Sequence, residues 1–233
     1  VVTSLYSGWF LMNYAPVAMQ YGFHFEKYDE HIFTPVIRGQ IRYASPSDKG
    51  YYTVYLPAYS DERIIRILSQ VPDIQWQVFS KHAKKSYSEK NIHIQCIAND
   101  LFIESMVHCR GVLCGAGFET PAEALFLKKK LLVIPMKGQY EQQCNAAALK
   151  KMGVTVIKSL KQKQLGKITD WISHPGTVPV DYPDITEQVI DQLLNEYKTQ
   201  RMIHEAIHVG DAPYSLKKFR YLNFGKLLKQ ISG

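Results

Sequence analysis

Residues 111–145, GVLCGAGFETPAEALFLKKKLLVIPMKGQYEQQCN, contain the most regular pattern of the chain. Apolar runs at 112–114 and 131–134 predict two strands, and a glycine turn at 115–117 separates the first strand from a helix. Thr120 is predicted to cap that helix, with Pro121 at its first position, where no N–H is needed. A polar loop is predicted after the second strand. Turns at the carboxyl ends of parallel strands form the crevice in which doubly wound sheets bind ligands, so these turns are the first candidates for a site.

The side chains of this stretch suit a sugar nucleotide. Gly115 and Gly117 let the backbone approach a ligand closely, and free amides at the start of the following helix favour a phosphate or diphosphate. Glu123, one turn into the helix, offers a carboxylate that can accept hydrogen bonds from both hydroxyls of a ribose. Glu141 and Gln142 offer groups that pair with sugar hydroxyls. A glycine pair alone is also typical of ordinary strand-to-helix turns, so the interpretation depends on the order of the whole segment.

The segment resembles the donor-binding signature of the GT-B glycosyltransferases. In that family a glycine turn, a Glu on the next helix, a strand that ends in Pro, an acidic-Gln pair and an Asn-Ala pair follow one another in this order. The similarity is greatest to the branch that contains the UDP-glucuronosyl and plant UDP-glycosyltransferases and the peptidoglycan N-acetylglucosaminyltransferase. Gly115 and Glu119 stand where many plant and animal members have His and Asn, which removes side-chain help to the diphosphate.

The resemblance implies a role for each matching residue. Glu123 is expected to bind the ribose, and Glu141 with Gln142 is expected to bind the transferred sugar. Ile97 and Asn99 fall where the family binds the base, with Ile97 in place of a stacking Trp. The expected diphosphate-binding residues are Ser60, Gly115, Gly117, Phe118, Glu119 and Thr120. Uracil is favoured by analogy, while thymidine and guanine nucleotides remain open.

The chain from residue 51 onward alternates apolar runs with amphipathic segments. Strands are predicted at 52–56, 74–79, 92–97 and 154–157 in addition to the two above, and helices at 62–69, 102–108, 146–152, 164–172 and 186–197. Ser60 and Asp61 are expected to cap the helix at 62–69. Such alternation predicts an α/β fold, a Rossmann-like parallel sheet with helices on both faces. In the resemblance, this corresponds to one half of a GT-B fold.

Three regions are expected along the chain. Residues 1–43, rich in aromatic residues and irregular, are interpreted as a remnant of an amino-terminal domain and its linker. Residues 44–200 form the nucleotide-sugar-binding domain. Residues 201–233 form carboxyl-terminal helices, of which the basic and aromatic segment 216–231 either crosses back to the amino-terminal domain or lies on a membrane surface. Because the chain starts at Val1 and lacks most of the expected amino-terminal domain, it is interpreted as a fragment or a processed chain.

The amino-acid composition limits the classes of partner that are expected. The 233 residues carry a formal net charge of +7, with an isoelectric point near 9.1, but the basic residues are scattered and no nucleic-acid-binding motif is present. A nucleic acid is therefore not expected, whereas contact with an anionic membrane surface is open. The four cysteines have no C-x-x-C spacing, and two of them, Cys96 and Cys114, fall in apolar strands. This pattern predicts buried reduced thiols and a cytoplasmic location, at the inner face of the membrane if peripheral. No run is long enough to span a membrane.

One motif points to different chemistry. His204-Glu205-Ala206-Ile207-His208 is H-E-x-x-H, which on a helix presents two imidazoles for zinc with the Glu as general base. A third ligand is needed, and downstream only Asp211 is available. A zinc protease therefore remains a remote alternative to an ordinary helix face.

The sequence as a whole predicts a glycosyltransferase of hexosyltransferase type. It would transfer a sugar from a nucleotide diphosphate donor, expected to be UDP-linked, to a hydroxyl acceptor of unknown identity. Helix amides rather than a metal would stabilise the leaving diphosphate, so no metal or cofactor beyond the donor is expected. The resemblance implies that the catalytic base comes from the amino-terminal domain, and no catalytic residue is assigned. A UDP-sugar 2-epimerase and a non-catalytic nucleotide-sugar-binding subunit are the alternatives.

Overall fold

The computed structural model of the protein describes residues 20–209, and the side chains of residues 20–202. The strands are β1 Gly22–Phe23, β2 Ile32–Phe33, β3 Tyr51–Tyr55, β4 Gln75–Ser80, β5 Tyr87–Glu89, β6 Ile92–Cys96, β7 Gly111–Gly115, β8 Lys130–Ile134 and β9 Thr155–Val156. The helices are α1 Gly39–Arg42, α2 Asp61–Leu68, α3 Asn99–His108, α4 Glu119–Phe126, α5 Tyr140–Lys151, α6 Leu165–Ser173 and α7 Thr186–Val209, with a 3-10 turn at Gln162–Gln164.

The central sheet has seven strands in the order β5-β6-β4-β3-β7-β8-β9. Every neighbouring pair is parallel except β5 with β6, which is antiparallel. The predicted Rossmann-like sheet is therefore confirmed, with one edge strand that the sequence did not predict. All three residues of β5 are exposed, so this strand carries no apolar pattern. Parallel pairing brings the carboxyl ends of six strands to one edge of the sheet.

Helices cover both faces of the sheet, as predicted. In β7, Val112 and Cys114 belong to one buried cluster and Leu113 to the other, because successive side chains point to opposite faces. The first cluster also contains apolar residues of α3, α4 and α5, and the second contains those of α2 and α6. The unbroken apolar runs at 112–114 in β7 and 131–134 in β8 are typical of strands that are buried on both faces.

The segment before β3 packs onto the first of these clusters. Phe25, Ile37 and Ile41 are buried there together with residues of α4, and the Tyr182 hydroxyl donates a hydrogen bond to the Phe25 carbonyl at 3.1 Å. Among the described residues, those up to Asp184 form one compact unit and those from Ile185 form a second. The predicted domain limits at residues 43 and 200 stay predictions.

Several predicted helix ends were wrong. Helix α4 begins at Glu119, so Thr120 is its second residue and not its cap, and no side chain caps this end. Pro121 is therefore the third residue, where the missing N–H still costs no intrahelical bond. Helix α5 begins at Tyr140, so the predicted polar loop around Glu141 is its first turn. Ser60 does occupy the cap position of α2, but its side chain makes no capping bond.

Two predictions concern residues beyond this description. The H-E-x-x-H motif lies in the last turns of α7, which extends to Val209, well past the predicted end at 197. The side chains of His204, Glu205 and His208 are outside the described residues, and so is the segment 216–231.

Candidate functional site

The carboxyl ends of β3, β7 and β8 border a cavity of about 240 Å³. Its position is the one that parallel α/β sheets use for ligands, because loops there diverge towards helices on opposite faces. The loop after β3 supplies one wall, the glycine turn after β7 supplies the floor, and the loop after β8 with the start of α5 supplies the other wall. The lining residues are Leu56, Pro57, Ala58, Tyr59, Gly115, Ile134, Met136, Lys137 and Gln142.

The glycine turn leaves open space on its outer side. A Cβ added at Gly117 would meet nothing within 4 Å, and one added at Gly115 would meet only the Gln142 side-chain oxygen at 3.6 Å. Neither glycine has a positive φ, so the backbone conformation does not require glycine at either position. The protein's own backbone and packing thus tolerate a side chain at 117. Space for a close-lying ligand is the remaining physical reason for glycine at this position.

The first turn of α4 faces this turn with unpaired amides. The Ala122 amide bonds the Phe118 carbonyl at 3.2 Å, so the amides of Glu119 and Thr120 precede the first intrahelical bond. Pro121 contributes no donor. Glu119 is exposed and Thr120 and Phe118 are half-buried. These amides and the positive end of the helix dipole suit an anionic group, as expected of a diphosphate site.

Glu123 is buried and already paired. The residue is 3% exposed, and both of its carboxylate oxygens accept hydrogen bonds from Arg38, from Nε at 2.5 Å and from Nη2 at 2.8 Å. The hydrogen bonds with Glu123 raise the pKa of the Arg38 guanidinium above its ordinary value. The predicted ribose contact therefore requires hydroxyls to reach a carboxylate that Arg38 now occupies. That role of Glu123 stays a prediction.

Arg38 was not predicted as a site residue. It lies in the loop just before α1, and its third nitrogen, Nη1, donates to the Asn99 side-chain oxygen at 3.1 Å. One guanidinium thus links the first residue of α3 with the middle of α4. The sequence contains no pattern that would mark Arg38 as a site residue, because the residue lies in an irregular segment and its partner Glu123 is 85 residues away.

Side chains at the start of α5 form hydrogen bonds with both neighbouring loops. The Gln142 side-chain oxygen accepts a hydrogen bond from the Met136 amide at 2.9 Å, and the buried Asn145 side chain donates to the Ala116 carbonyl at 3.2 Å. Gln142 therefore lines the cavity in a fixed position, while Glu141 is exposed. The structure brings the Gln142 side-chain oxygen close to Gly115. The sugar-binding roles of Glu141 and Gln142 stay predictions.

The loop after β6 holds the two predicted base-binding residues. Ile97 is 47% exposed and so presents apolar surface on this loop. Asn99 is exposed and has its side-chain oxygen on Arg38. Ser60, just before α2, is exposed, and its hydrogen bond to the Glu62 carboxylate lowers the pKa of Glu62. The roles of these residues stay predictions.

A larger cavity of about 470 Å³ lies at the amino ends of β7 and β8, away from the glycine turn. It is strongly basic, but three of its four lining cations, Arg110, Lys129 and Lys130, already have partners. The buried Lys129 ammonium donates to the Ser47 and Cys109 carbonyls, Lys130 donates to the Ile172 carbonyl, and Arg110 pairs with Asp48 at 2.9 Å. These contacts fasten loops beneath the sheet, so the carboxyl edge remains the candidate site.

Two further observations bear on the chemistry. All four cysteines are unpaired, with Cys109 and Cys114 buried, and burial raises the pKa of both of these thiols. Within residues 20–202, no three side chains of His, Cys, Asp or Glu are grouped so that they could hold a metal ion. Across the described helices, none combines the length and the apolar character needed to cross a bilayer.

A sequence model described as glycosyl transferase family 1 matches residues 15–174, which include every strand of the central sheet and the whole candidate site. The chain belongs to glycosyl transferase family 1. This membership confirms the resemblance inferred from the glycine turn, Glu123 and the Glu141-Gln142 pair. No curated protein sequence matches this family member.

Among solved structures, this family 1 chain is similar to several glycosyltransferases. The glycotransferase of kitacinnamycin is 14% identical with a TM-score of 0.48, and the match covers 63% of this chain and 42% of that one. SnogD from Streptomyces nogalater is 12% identical with a TM-score of 0.41, and the match covers 71% of this chain and 51% of that one. VinC in complex with dTDP is 13% identical with a TM-score of 0.42, and the match covers 75% of this chain and 44% of that one. The chain spans between 42% and 51% of the length of these three proteins.

Proposed function

We propose that this chain binds the nucleotide diphosphate sugar of a glycosyltransferase that transfers the sugar to a hydroxyl acceptor. In a member of glycosyl transferase family 1, a cavity at the carboxyl edge of the sheet is bordered by Gly115 of the glycine turn. The same turn has unfilled space beside Gly117 and leads into a helix whose first amides are unpaired. That combination suits a diphosphate better than a neutral ligand.

Each part of the donor has a proposed partner. The amides of Glu119 and Thr120 would hold the diphosphate, and they would stabilise the charge that develops on it as the glycosidic bond breaks. Gln142, fixed by the Met136 amide, would contact the transferred sugar with Glu141. Glu123 would hold the ribose.

The base would lie against the loop after β6. Ile97 offers an exposed apolar surface there, and Asn99 offers an amide. The resemblance favours uracil, so a UDP-sugar is the proposed donor. A cytoplasmic location is part of the proposal, because four unpaired cysteines suit a reducing compartment.

Titration calorimetry with UDP, dTDP and GDP tests the proposal. We expect the wild-type chain to bind one of the three, and Gly117→Ala to weaken that binding by about tenfold or more, because the added methyl group occupies space needed by the diphosphate. The fold should tolerate this change, since nothing lies within 4 Å of the added atom.

Gly166→Ala is the matched control, because Gly166 lies in α6 and also has nothing within 4 Å of an added Cβ. It should leave affinity unchanged. If the wild type binds none of the three nucleotides, or if Gly117→Ala binds as tightly as the control, the proposal is wrong. Incubation with a UDP-sugar and no acceptor separates the epimerase alternative, which would yield free UDP and an epimerised sugar.

A further inference from the structure

We propose that Arg38 is a donor-binding residue that exchanges its partner, leaving the Glu123 carboxylate for the diphosphate of the nucleotide. This inference rests on the proposed function and adds a residue and a charge exchange to it. The geometry behind it is a single guanidinium that joins Glu123 and Asn99, the residues proposed to hold the ribose and the base.

Arg38 occupies both carboxylate oxygens of Glu123. A carboxylate accepts ribose hydroxyls through the same lone pairs that now face Arg38, and the Glu123 side chain is only 4% exposed in the pair. A ribose could therefore reach Glu123 only after Arg38 has moved aside. Arg38 can do so, because its own side chain is 41% exposed and loses little packing when it turns outward.

The negative charge of the diphosphate also favours a cation beside it. Diphosphate binding brings at least two negative charges to a crevice that already contains the carboxylates of Glu119 and Glu123. Charge repulsion between these groups would oppose donor binding unless a cation joins the diphosphate. Arg38 is already close enough to Glu119 for the two charges to interact, since Glu119 contributes to the raised pKa of Arg38. Guanidinium binds phosphate oxygens in the same bidentate manner as it binds a carboxylate.

Arg38 lies near the start of two helices. It donates a hydrogen bond to Asn99, the first residue of α3, and its charge interacts with that of Glu119, the first residue of α4. The turn and helix start at 115–120, GAGFET, contain no basic side chain. Arg38, from the loop before α1, would supply a cationic donor to this site.

The test compares binding of uridine, UMP and UDP to the full chain, with dTDP, dTMP and thymidine in parallel if thymine is the preferred base. For Arg38→Gln, we expect UDP to bind about 10- to 100-fold more weakly, the range for loss of charge-assisted hydrogen bonds. Uridine should bind as well as before or better, because its ribose no longer competes with Arg38. Glu123→Gln should weaken uridine and UDP by the same factor.

Arg110→Gln is the matched control, since Arg110 also pairs with a carboxylate and has a similar exposure of 45%, but it lies at the opposite edge of the sheet. Thermal unfolding without ligand verifies that each variant is folded, and the double variant Arg38→Gln with Glu123→Gln removes both charges of the pair if the single variant unfolds. In the double variant, UDP should still lose more affinity than uridine.

The outcomes separate the two proposals. If the wild type binds no nucleoside diphosphate, the proposed function is wrong and this inference fails with it. If the wild type binds UDP or dTDP, but Arg38→Gln weakens nucleoside and diphosphate equally, Arg38 is only a structural partner of Glu123. If Arg38→Gln leaves diphosphate affinity unchanged, Arg38 does not bind the donor at all. Either of these last results overturns the inference and leaves the proposed function in place.

Discussion

Gly111, the first residue of β7, is a glycine for a reason opposite to that of Gly117. A Cβ added at Gly111 would lie 2.9 Å from the Lys130 Cβ, from the Lys130 carbonyl oxygen and from Tyr52 Cε1. Two of these atoms belong to the paired strand β8 and cannot move without disturbing the ladder. We expect Gly111→Ala to lower the free energy of unfolding by about 1 to 3 kcal/mol. Urea denaturation measures the change.

Gly166→Ala serves again as the control, and a helix position should gain slightly from alanine. Equal stability of the two variants would contradict the predicted clash. At the scale of residues, the fold therefore requires glycine at position 111, whereas the proposed ligand requires it at position 117. Buried charged residues differ in a similar way. Lys129 donates to the carbonyls of two loops, whereas the buried Glu123 is paired with Arg38, whose side chain is 41% exposed.

Among the elements, α5 connects the site to the rest of the unit. Asn145 is 7% exposed and donates to the carbonyl of Ala116, the middle residue of the glycine turn. We expect Asn145→Ala to cost about 1 to 2 kcal/mol of stability, because it leaves that buried carbonyl unpaired. Nucleoside diphosphate affinity should fall as well, since the turn loses its attachment. Thermal unfolding and calorimetry measure the two effects.

Gln143→Ala is a suitable comparison, because Gln143 also donates from its side chain to a backbone carbonyl, that of Met136, but is exposed. Its removal should cost less than about 0.5 kcal/mol. An Asn145→Ala variant as stable as Gln143→Ala would show that the bond to the turn contributes nothing.

The same elements indicate what the sequence can and cannot predict. Strands β7 and β8 and the turn between β7 and α4 were predicted because burial on both faces gives them unbroken apolar runs. The short exposed strand β5 was missed, because its pairing depends on an edge that only the folded sheet provides. Helix starts were placed wrongly where no side chain caps them, as at Glu119 and Tyr140. Arg38 was missed because its role depends on a contact between distant segments.

At the scale of the whole molecule, the proposed site lies entirely within the first compact unit, which ends at Asp184. Among the described residues, neither of the two hydrophobic clusters has a member beyond Tyr182, and the seven-stranded sheet ends with β9 at Val156. The second unit, from Ile185 onward, includes the long helix α7 with the H-E-x-x-H motif. Stability and donor binding should therefore both belong to the first unit.

This expectation predicts the behaviour of a chain shortened to end at Asp184. We expect it to unfold cooperatively on heating and to bind its nucleoside diphosphate within about twofold of the affinity of the full chain, because every proposed contact is retained. Circular dichroism and calorimetry on both chains provide the comparison. Loss of cooperative unfolding would mean that the second unit stabilises the first. Loss of binding in a shortened chain that still unfolds cooperatively would mean that residues after 184 contact the donor, so that the crevice described above would be only part of the site.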